Sequence, residues 1–554
     1  MPEVLQEYVY FDSDRPMVAP FGEDGSLMAY DLRNASARFT WFLPLAVSLL
    51  LKAFLGFQDA VVNSDGVVYM EAARMIAEGQ ISQSLLLYPM PAYPLLIAVV
   101  HFLVPDWIWA AKLISSMAAA LITIPVYALT ALLFDRRAAL YAALAVALLP
   151  SLNDIAPDVI RDPCFLLLAY GSVYWMAKAC MTESISGVTG AFVMAGVALL
   201  FRIESISLIF TYLLYLAGLS LFTDTRRRFA VKALMIMAVP AVAGVIGLLA
   251  VGATKQGLDR IDQLRGFAKH ILTGRFLERY QTIYADLKES QRLSPLPSGE
   301  LYQLARHYMP LLYLIGMLEA FLKSLFWPNA VPLWSACRRW LTADGIPLVV
   351  LTIAMHSLLV LIYFLHIDYL SSRYILFCAL LALPLAGKGL VMIEDRCRQS
   401  KWPKACLAAM GIVFLLLPLY RSVDQGLGED GVIAATGEWL SGEPELRRME
   451  WASNDLRYFL YAGKPFNYLK EKKQAFALIR LYTEKDYEGI EDLAREEGKD
   501  LIILRSSRRE SGEGARFRLF GILKQIESPQ SVVTIYAAPR ILKNAFGPSE
   551  ESSK

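Results

Sequence analysis

The chain has 554 residues, of which 56% are hydrophobic and only 19% are charged. That balance is too apolar for an ordinary soluble enzyme of this length, and recurring apolar runs of about 20 residues are typical of membrane-spanning helices. The net charge of +2 gives no indication of a nucleic-acid partner. The six cysteines form no CxxC pair, so neither a disulfide framework nor a zinc site is predicted.

The apolar runs predict an all-α polytopic membrane domain, 39–420, with about eleven transmembrane helices. The run "YPLLIAVVHFLV" at 93–104 has only twelve residues. That is too few for a ~30 Å hydrocarbon core, so we predict a re-entrant or interfacial segment; if it crossed, the sidedness of everything upstream would reverse. The predicted spans lie near 39–57, 107–134, 138–151, 163–181, 187–201, 205–222, 230–252, 309–331, 345–366, 372–393 and 404–420.

Four connecting loops are rich in arginine and lysine: "FDRRA", "TDTRRRF", "ACRRW" and "EDRCRQSKWPK". The positive-inside rule places all four in the cytoplasm. The N-terminal segment 1–38 is then cytoplasmic, the loops 58–106 and 253–308 are outside, and the first span acts as a signal anchor. We therefore predict a multi-pass protein of the inner (plasma) membrane.

The C-terminal part differs in character from the membrane domain. Strand-like stretches such as "DLIILR" and "SVVTIYAAP" appear, and "TEKDYEGIEDLAREEG" predicts an amphipathic helix before the first of them. We predict a small extracytoplasmic α/β domain over 421–545. The last residues, 546–554, are predicted to be a disordered tail.

An acidic residue, Asp65, follows the first predicted span in "NSDGVVYMEAARMIAEGQ". The segment predicts a short helix lying flat at the membrane surface, with a weakly apolar stripe from Val68 to Gly79. One interpretation is that Asp65 or Ser64 caps this helix. The other is that Asp65 accepts a proton, since the helix dipole would keep it ionised.

Three further outward elements carry charge at the membrane edge. Asp162 begins a span just before Pro163, where either a helix cap or a functional acid fits. Arg202 and Glu204 interrupt an apolar stretch, and such residues face a cavity or a partner more often than lipid. Arg373 begins another span, where it can bind phosphate oxygens or snorkel to the interface beside Tyr374.

These motifs occur in the same order in a known superfamily. The chain has an acidic residue after the first span, then "YPMPAYPLL", "RDP", "FRIES" and "SSRYILF". Over roughly 39–393 it resembles the GT-C glycosyltransferases, in particular bacterial relatives of protein O-mannosyltransferases and of the aminoarabinose transferase that modifies lipid A. The resemblance extends loosely into the C-terminal domain.

The resemblance implies roles for matching positions. Asp65 matches the acidic residue that serves as base near the acceptor, and Asp162 matches the second acidic position, near the donor and its leaving group. Asp158 lies so close to Asp162 that either is a candidate. The candidates for substrate binding are Arg373, Arg202, Glu204, Asp158, Arg161, Tyr374 and Tyr93.

The predicted function is an integral membrane glycosyltransferase. It would move a sugar from a polyprenyl-phosphate donor to a lipid, glycan or protein acceptor on the outer face, by one inverting displacement with an Asp base. No metal and no other cofactor is predicted. One alternative is a transporter or flippase of lipid-linked glycans, which would favour internal repeats; we find none. Another is a non-catalytic membrane scaffold, which is tested by whether the charged positions converge.

Overall fold

The computed structural model describes residues 40–58, 61–238, 345–367, 372–424, 431–507, 517–528 and 531–546. Over these residues the protein is mostly helical, with a small mixed sheet in its C-terminal part. The predicted span 309–331, the loop 253–308 and nearly all of both termini lie outside the described residues.

The first half of the described chain is helical, and its helices begin where sequence signals favour a start. Asp135 caps one helix by accepting a hydrogen bond from the backbone N–H of Ala138 at 2.9 Å. Pro150 and Pro163 occupy first-turn positions, where a missing N–H costs nothing. The helices are α1 (Phe42–Gln58), α2 (Ser64–Ala77), α3 (Ile81–Leu87), α4 (Ala92–His101), α5 (Trp107–Leu121), α6 (Thr123–Leu133), α7 (Arg136–Ala147), α8 (Pro150–Ile155), α9 (Asp162–Thr182), α10 (Ile185–Leu199) and α11 (Ile206–Phe222), with a 3₁₀ turn at Ile203–Ser205.

Residues 227–238 are also helical, and four further helices follow in the part that carries the long apolar runs. A π-helical stretch, Ile412–Leu416, connects two of them. The helices are α12 (Ile346–Ile367), α13 (Ser372–Arg398), α14 (Pro403–Gly411) and α15 (Leu417–Asp424).

Six helical segments among the described residues are long and apolar enough to cross a membrane. Other predicted spans fall on shorter helices, such as α7 and α10. At 93–104 the structure has α4, whose ten residues extend about 15 Å. That length fits a segment that does not cross, which stays a prediction. The six segments are Trp107–Leu133, Asp162–Thr182, Ile203–Phe222, Ile346–Tyr363, Arg373–Arg398 and Pro403–Val423.

Close helix packing in this bundle depends on small residues and a few internal hydrogen bonds. Gly387 of α13 faces the Ala138 carbonyl of α7, and a Cβ at Gly387 would lie 2.4 Å from that oxygen. The Ser172 hydroxyl is 2.7 Å from the Tyr212 hydroxyl, which links α9 to α11. Small residues let helix backbones approach, as is common in membrane bundles.

The C-terminal part confirms the predicted α/β character. Both predicted strands and the amphipathic helix are present, and the sheet order is β1-β2-β4-β3, with β1 and β2 parallel and the other pairs antiparallel. Alternate residues of β4 face two separate apolar cores. The elements are α16 (Gly431–Gly442), α17 (Pro444–Arg448), β1 (Trp451–Ser453), α18 (Arg457–Tyr461), α19 (Tyr468–Thr483), α20 (Tyr487–Glu496), β2 (Leu501–Ser507), β3 (Gly521–Glu527), β4 (Ser531–Ala537) and α21 (Pro539–Phe546).

The helical bundle and the sheet domain meet just before α2. Val61 belongs to an apolar core of the sheet domain, whereas its neighbour Val62 belongs to the core of the bundle. Tyr461 of α18 packs against both cores. The segment that leads to Asp65 therefore lies at the boundary of the two parts.

Candidate active site

Asp65 lies in the first turn of α2, but it does not cap that helix. The cap is Asn63, whose side-chain oxygen accepts a hydrogen bond from the Gly66 N–H at 2.7 Å. The prediction that Asp65 or Ser64 would be the capping residue is therefore wrong, because Asn63 already satisfies the N–H that needs a partner. The Asp65 carboxylate is left available for another task.

The partner of Asp65 is the predicted phosphate-binding residue Arg373 at the start of α13. Its Nη1 lies 3.4 Å from Asp65 Oδ2, and the two side chains are 29% and 50% exposed, respectively. An ion pair of this length and exposure is weak. A substrate can therefore separate it at little cost.

A buried ion cluster lies close to this pair. Arg202 hydrogen-bonds to the carboxylates of both Asp162 and Glu204, with 2.5 Å between Arg202 Nη2 and Glu204 Oε1. Its guanidinium lies 4.6 Å from the ring centroid of Tyr374 and 5.8 Å from that of Phe165. All three charged side chains are buried, so each needs its partners to offset the cost of desolvation.

The guanidinium of Arg161 contacts two uncharged side chains, those of Tyr88 and Met90. Its guanidinium donates to the Tyr88 hydroxyl and lies 2.8 Å from the sulfur of Met90. The Tyr88 ring packs against Tyr69 with 4.9 Å between centroids. Burial is the main cause that raises the pKa of Tyr69 and of Tyr88, so both phenols are neutral and can donate hydrogen bonds.

Two predicted residues have different surroundings. Tyr93 is fully buried, its hydroxyl lies 2.7 Å from Ser115 Oγ, and its ring packs against Tyr69. It therefore supports the wall behind Tyr69. Asp158 is half-buried in the loop before α9, where its backbone carbonyl accepts a hydrogen bond from Ile160 N at 3.0 Å.

A cavity of about 570 Å³ separates α2 and α3 from the start of α19. Burial raises the pKa of Glu71 on its wall, with the positive charge of Arg74 opposing. Burial, and then the negative charge of Asp65, raises the pKa of Tyr468 to about 12. We call this space the interdomain cavity; its lining is Glu71, Met75, Gln83, Leu86, Leu87, Pro465, Phe466, Asn467 and Tyr468.

The predicted charged positions thus converge, although they come from distant parts of the sequence. Ion pairs join the first turn of α2 to the start of α13 and the start of α9 to the turn before α11, and Tyr374, next to Arg373, lies against Arg202. This argues against a scaffold with scattered charges. We call the converging residues the site cluster; they are Asp65, Arg161, Asp162, Arg202, Glu204 and Arg373.

The sequence interpretation missed several nearby residues. His356 Nδ1 of α12 lies 3.0 Å from Ser207 Oγ, and the imidazole packs on Phe377. The Ser207 hydroxyl donates in turn to the backbone carbonyl of Glu204 at 2.8 Å. A lone histidine inside an apolar span was the available signal. The apolar stripe predicted from Val68 to Gly79 covers only part of the buried face of α2. Ala72 is buried and Val68 packs against the bundle core, but the face also includes Gly66, Tyr69 and Met70. That face packs on the bundle and so is hidden from lipid.

No group of His, Cys, Asp or Glu side chains suited to holding a metal ion is found in the parts of the chain that the structure describes. The carboxylates of Asp162 and Glu204 are already engaged by Arg202. The chemistry that these residues support directly is proton acceptance at Asp65 and anion binding at the nearby arginines.

Comparison with known proteins gives this arrangement a class. Residues 89–249 match the sequence profile of the dolichyl-phosphate-mannose-protein mannosyltransferase family. The archaeal oligosaccharyltransferase AglB from Archaeoglobus fulgidus, solved with an inhibitory peptide and a dolichol phosphate, is similar in structure: the TM-score is 0.50 at 12% identity, covering 87% of this chain and 70% of that one. ArnT from Cupriavidus metallidurans, solved with undecaprenyl phosphate, matches with a TM-score of 0.43 at 13% identity, covering 89% of this chain and 97% of that one. No curated protein matches the sequence at a significant level.

The fold and the profile match define a membrane glycosyltransferase of the GT-C class. The predicted resemblance and the predicted enzyme class, a glycosyltransferase dependent on a lipid-phosphate sugar, are confirmed. Within that class, the part of the chain that matches the protein mannosyltransferase profile is 89–249. At 12% identity, the likeness to the oligosaccharyltransferase concerns the fold alone.

Proposed function

We propose that this enzyme transfers a sugar from a polyprenyl phosphate to a lipid, glycan or protein acceptor in a single inverting displacement, with Asp65 as the base. The observation that carries the proposal is the position of Asp65. On one side it meets Arg373 at 3.4 Å, and the helix that carries it, α2, lines the interdomain cavity with Glu71 and Met75. A base between an anion-binding group and an open cavity is what this reaction requires.

The donor is already activated, because the phosphate itself is the leaving group. The acceptor oxygen or nitrogen forms a bond to the anomeric carbon while the bond from that carbon to the phosphate oxygen breaks. The acceptor proton moves to Asp65, and the departing electron pair remains on the polyprenyl phosphate. Arg373 neutralises the charge that develops there, and one displacement inverts the anomeric centre.

The buried cluster supports the donor side of the proposed site. Asp162 and Glu204 hold Arg202 in place, and Tyr374 covers the face of its guanidinium. The net charge of these three residues is negative, so we propose that they fix the geometry around the phosphate and leave its binding to Arg373 and Arg161. Asp158 is the alternative to Asp162 for an acidic role near the leaving group.

The interdomain cavity is the proposed place for the acceptor. Its wall combines apolar and aromatic side chains with a few polar groups, which is the usual composition of a small-ligand site. Because Pro465, Phe466 and Tyr468 belong to the C-terminal part, we propose that this part shapes the acceptor side. That division agrees with a donor whose tail remains in the bilayer.

The proposed topology keeps the predicted boundaries and about eleven spans. The site cluster and the α/β domain 421–545 lie on the extracytoplasmic side of the inner membrane. The loops containing Arg137 and Arg398 lie on the cytoplasmic side. Single cysteines near Asp65, near Asp162 and within 430–540 should all react with an impermeant thiol reagent in intact cells, whereas cysteines at 224–228 or 395–401 should not. Opposite accessibility of the first two positions would refute the shared site.

The most direct test of function is a transfer assay with purified protein and a panel of labelled polyprenyl-phosphate sugars. Asp65→Asn should bind the competent donor and transfer its label far more slowly. Transport of intact donor across a vesicle membrane, unchanged in Asp65→Asn and without transfer, would instead favour a flippase.

A further inference from the structure

The backbone three residues before Asp65 is bound by a helix of the C-terminal domain. The Val62 N–H donates to the Tyr461 hydroxyl at 2.7 Å, and the Val62 carbonyl accepts from Arg457 Nη1 at 3.4 Å. Arg457 and Tyr461 are the first and last residues of α18. One short helix therefore satisfies both polar backbone atoms of a residue that is itself fully buried.

Both side chains that bind Val62, Arg457 and Tyr461, are held by neighbouring residues of the C-terminal domain. Asp455 accepts from Arg457 Nε and Nη2 at 3.0 and 2.6 Å, which fixes the guanidinium as a planar fork. Tyr461 lies against Gly437 of α16 so closely that a Cβ at Gly437 would be 2.1 Å from Tyr461 Cβ. The position of α18 is thus fixed in part by contacts within the sheet domain.

The contact is transmitted to Asp65 over a short and rigid path. Asn63 caps α2 through Gly66 N, which fixes the first turn of the helix. A Cβ at Gly66 would lie 2.4 Å from Val62 Cγ1 and 2.8 Å from Val159 Cβ, so the turn is pressed between Val62 and the loop that leads to Asp162. Moving Val62 would therefore move the turn that carries the carboxylate.

We propose that α18 is a positioning device for the base: Tyr461 and Arg457 set the location of Asp65 through the backbone of Val62. Neither side chain needs to touch the substrate. The inference rests on the proposed role of Asp65, and it gives the C-terminal domain a part in catalysis beyond shaping the acceptor side.

Tyr461→Phe in the full-length protein is the first test, because it removes only the hydroxyl that accepts from Val62 N. We expect turnover to fall roughly 10- to 100-fold, as for a small displacement of a catalytic group. The affinity for polyprenyl phosphate should not change. Amide hydrogen exchange over 61–66 should become faster. Tyr536→Phe is the matched control, because Tyr536 packs on Phe517 at the opposite face of the sheet.

Arg457→Lys tests the second contact, from Arg457 to the Val62 carbonyl. It also keeps the proposal testable if Tyr461→Phe does not fold. It keeps the charge beside Asp455 but loses the fork that reaches the Val62 carbonyl. The same pattern is expected, with lower turnover, unchanged donor affinity and faster exchange over 61–66.

A double-variant comparison separates positioning from a general structural effect. If α18 acts through Asp65, Tyr461→Phe should not lower the residual turnover of Asp65→Asn any further. An equal loss in both backgrounds, or faster exchange without loss of turnover, would overturn the proposal. Amide exchange does not depend on catalysis. If Tyr461→Phe exchanges faster over 61–66 but Asp65→Asn is fully active, the role of Asp65 as the base is refuted, whereas the contact of α18 with Val62 is not.

Discussion

The two ends of α13 carry clusters of matching composition but different construction. Arg373 stands at one end and Glu394 at the other, 21 residues or about 32 Å apart, close to the ~30 Å of a bilayer core. The first end belongs to the site cluster. The second is what we call the opposite cluster; its members are Asp135, Arg137, Lys388, Glu394, Asp395 and Arg398.

In the opposite cluster each cation has a close carboxylate. Arg137 lies 2.8 Å from both Glu394 and Asp395, Lys388 lies 2.9 Å from Asp135, and Arg398 lies 2.6 Å from Glu394. In the site cluster Arg202 is closely paired with both Asp162 and Glu204. Arg373 is 3.4 Å from its carboxylate, and Arg161 contacts a phenol and a thioether. Equal numbers of charges thus form a network of close ion pairs at one end, whereas the pair of Arg373 and Asp65 at the other end is longer and partly exposed.

The largest expected effect comes from breaking the buried part of the site cluster. Arg202→Met leaves Asp162 and Glu204 buried without their cation, which typically costs about 3–5 kcal/mol. We expect a strong fall in thermal stability in detergent and a low yield of folded protein. Unchanged stability would show that water already solvates these carboxylates and that the cluster is open.

Asp65→Asn should have the largest effect on chemistry with little effect on stability. The side chain keeps its size, and capping is unaffected because Asn63 performs it. Turnover should fall at least ~100-fold, the lower range for losing a positioned base. Donor affinity, measured beside turnover, should stay close to that of the unaltered protein.

Near-normal turnover of that variant would make Asp65 a partner of Arg373 only. The search for the base would then move to Asp158 and Asp162. Asp158→Asn is the informative companion, because Asp158 is half-buried in the same region and its substitution leaves the Arg202 ion pairs in place.

Part of this site could be predicted from the sequence, because charge in apolar surroundings is conspicuous. Arg202 and Glu204 interrupt an apolar run, and Arg373 begins one, so their convergence was predictable from the parity of the spans. The α/β character of the C-terminal part likewise follows from β4, whose alternation and β-branched residues are visible in "SVVTIYAAP".

Other features depend on tertiary contacts that no local pattern encodes. The contact of Tyr461 with Val62 joins residues 399 positions apart. The buried face of α2 includes Gly66 and Tyr69, which pack on the bundle, whereas the apolar stripe predicted from periodicity covers only part of that face. Asn63 was overlooked as the cap because Ser64 and Asp65, both good capping residues, stand beside it.

Arg373→Ala should have an effect of intermediate size, and the affinity for polyprenyl phosphate is the quantity that should change most. Arg373 meets the phosphate before the reaction as well as during it, so its loss should weaken polyprenyl-phosphate affinity about 10-fold or more. Direct binding of polyprenyl phosphate is the measurement. Lys388→Met, at the far end of the same helix, is the control and should bind normally. A loss of turnover without a loss of affinity would mean that Arg373 contacts the phosphate only as it leaves.

The smallest effect is expected for Arg137→Met in the opposite cluster. Arg137 is half-exposed, and its removal does not isolate Glu394, which keeps Arg398 at 2.6 Å and the Tyr141 hydroxyl at 2.9 Å. Exposed pairs contribute little, because water and salt replace them readily. We therefore expect turnover and donor affinity to be unchanged and thermal stability to fall far less than in Arg202→Met. A large loss of turnover would show that the two ends of α13 are coupled. The opposite cluster would then contribute to catalysis, and the contrast with the site cluster would no longer hold.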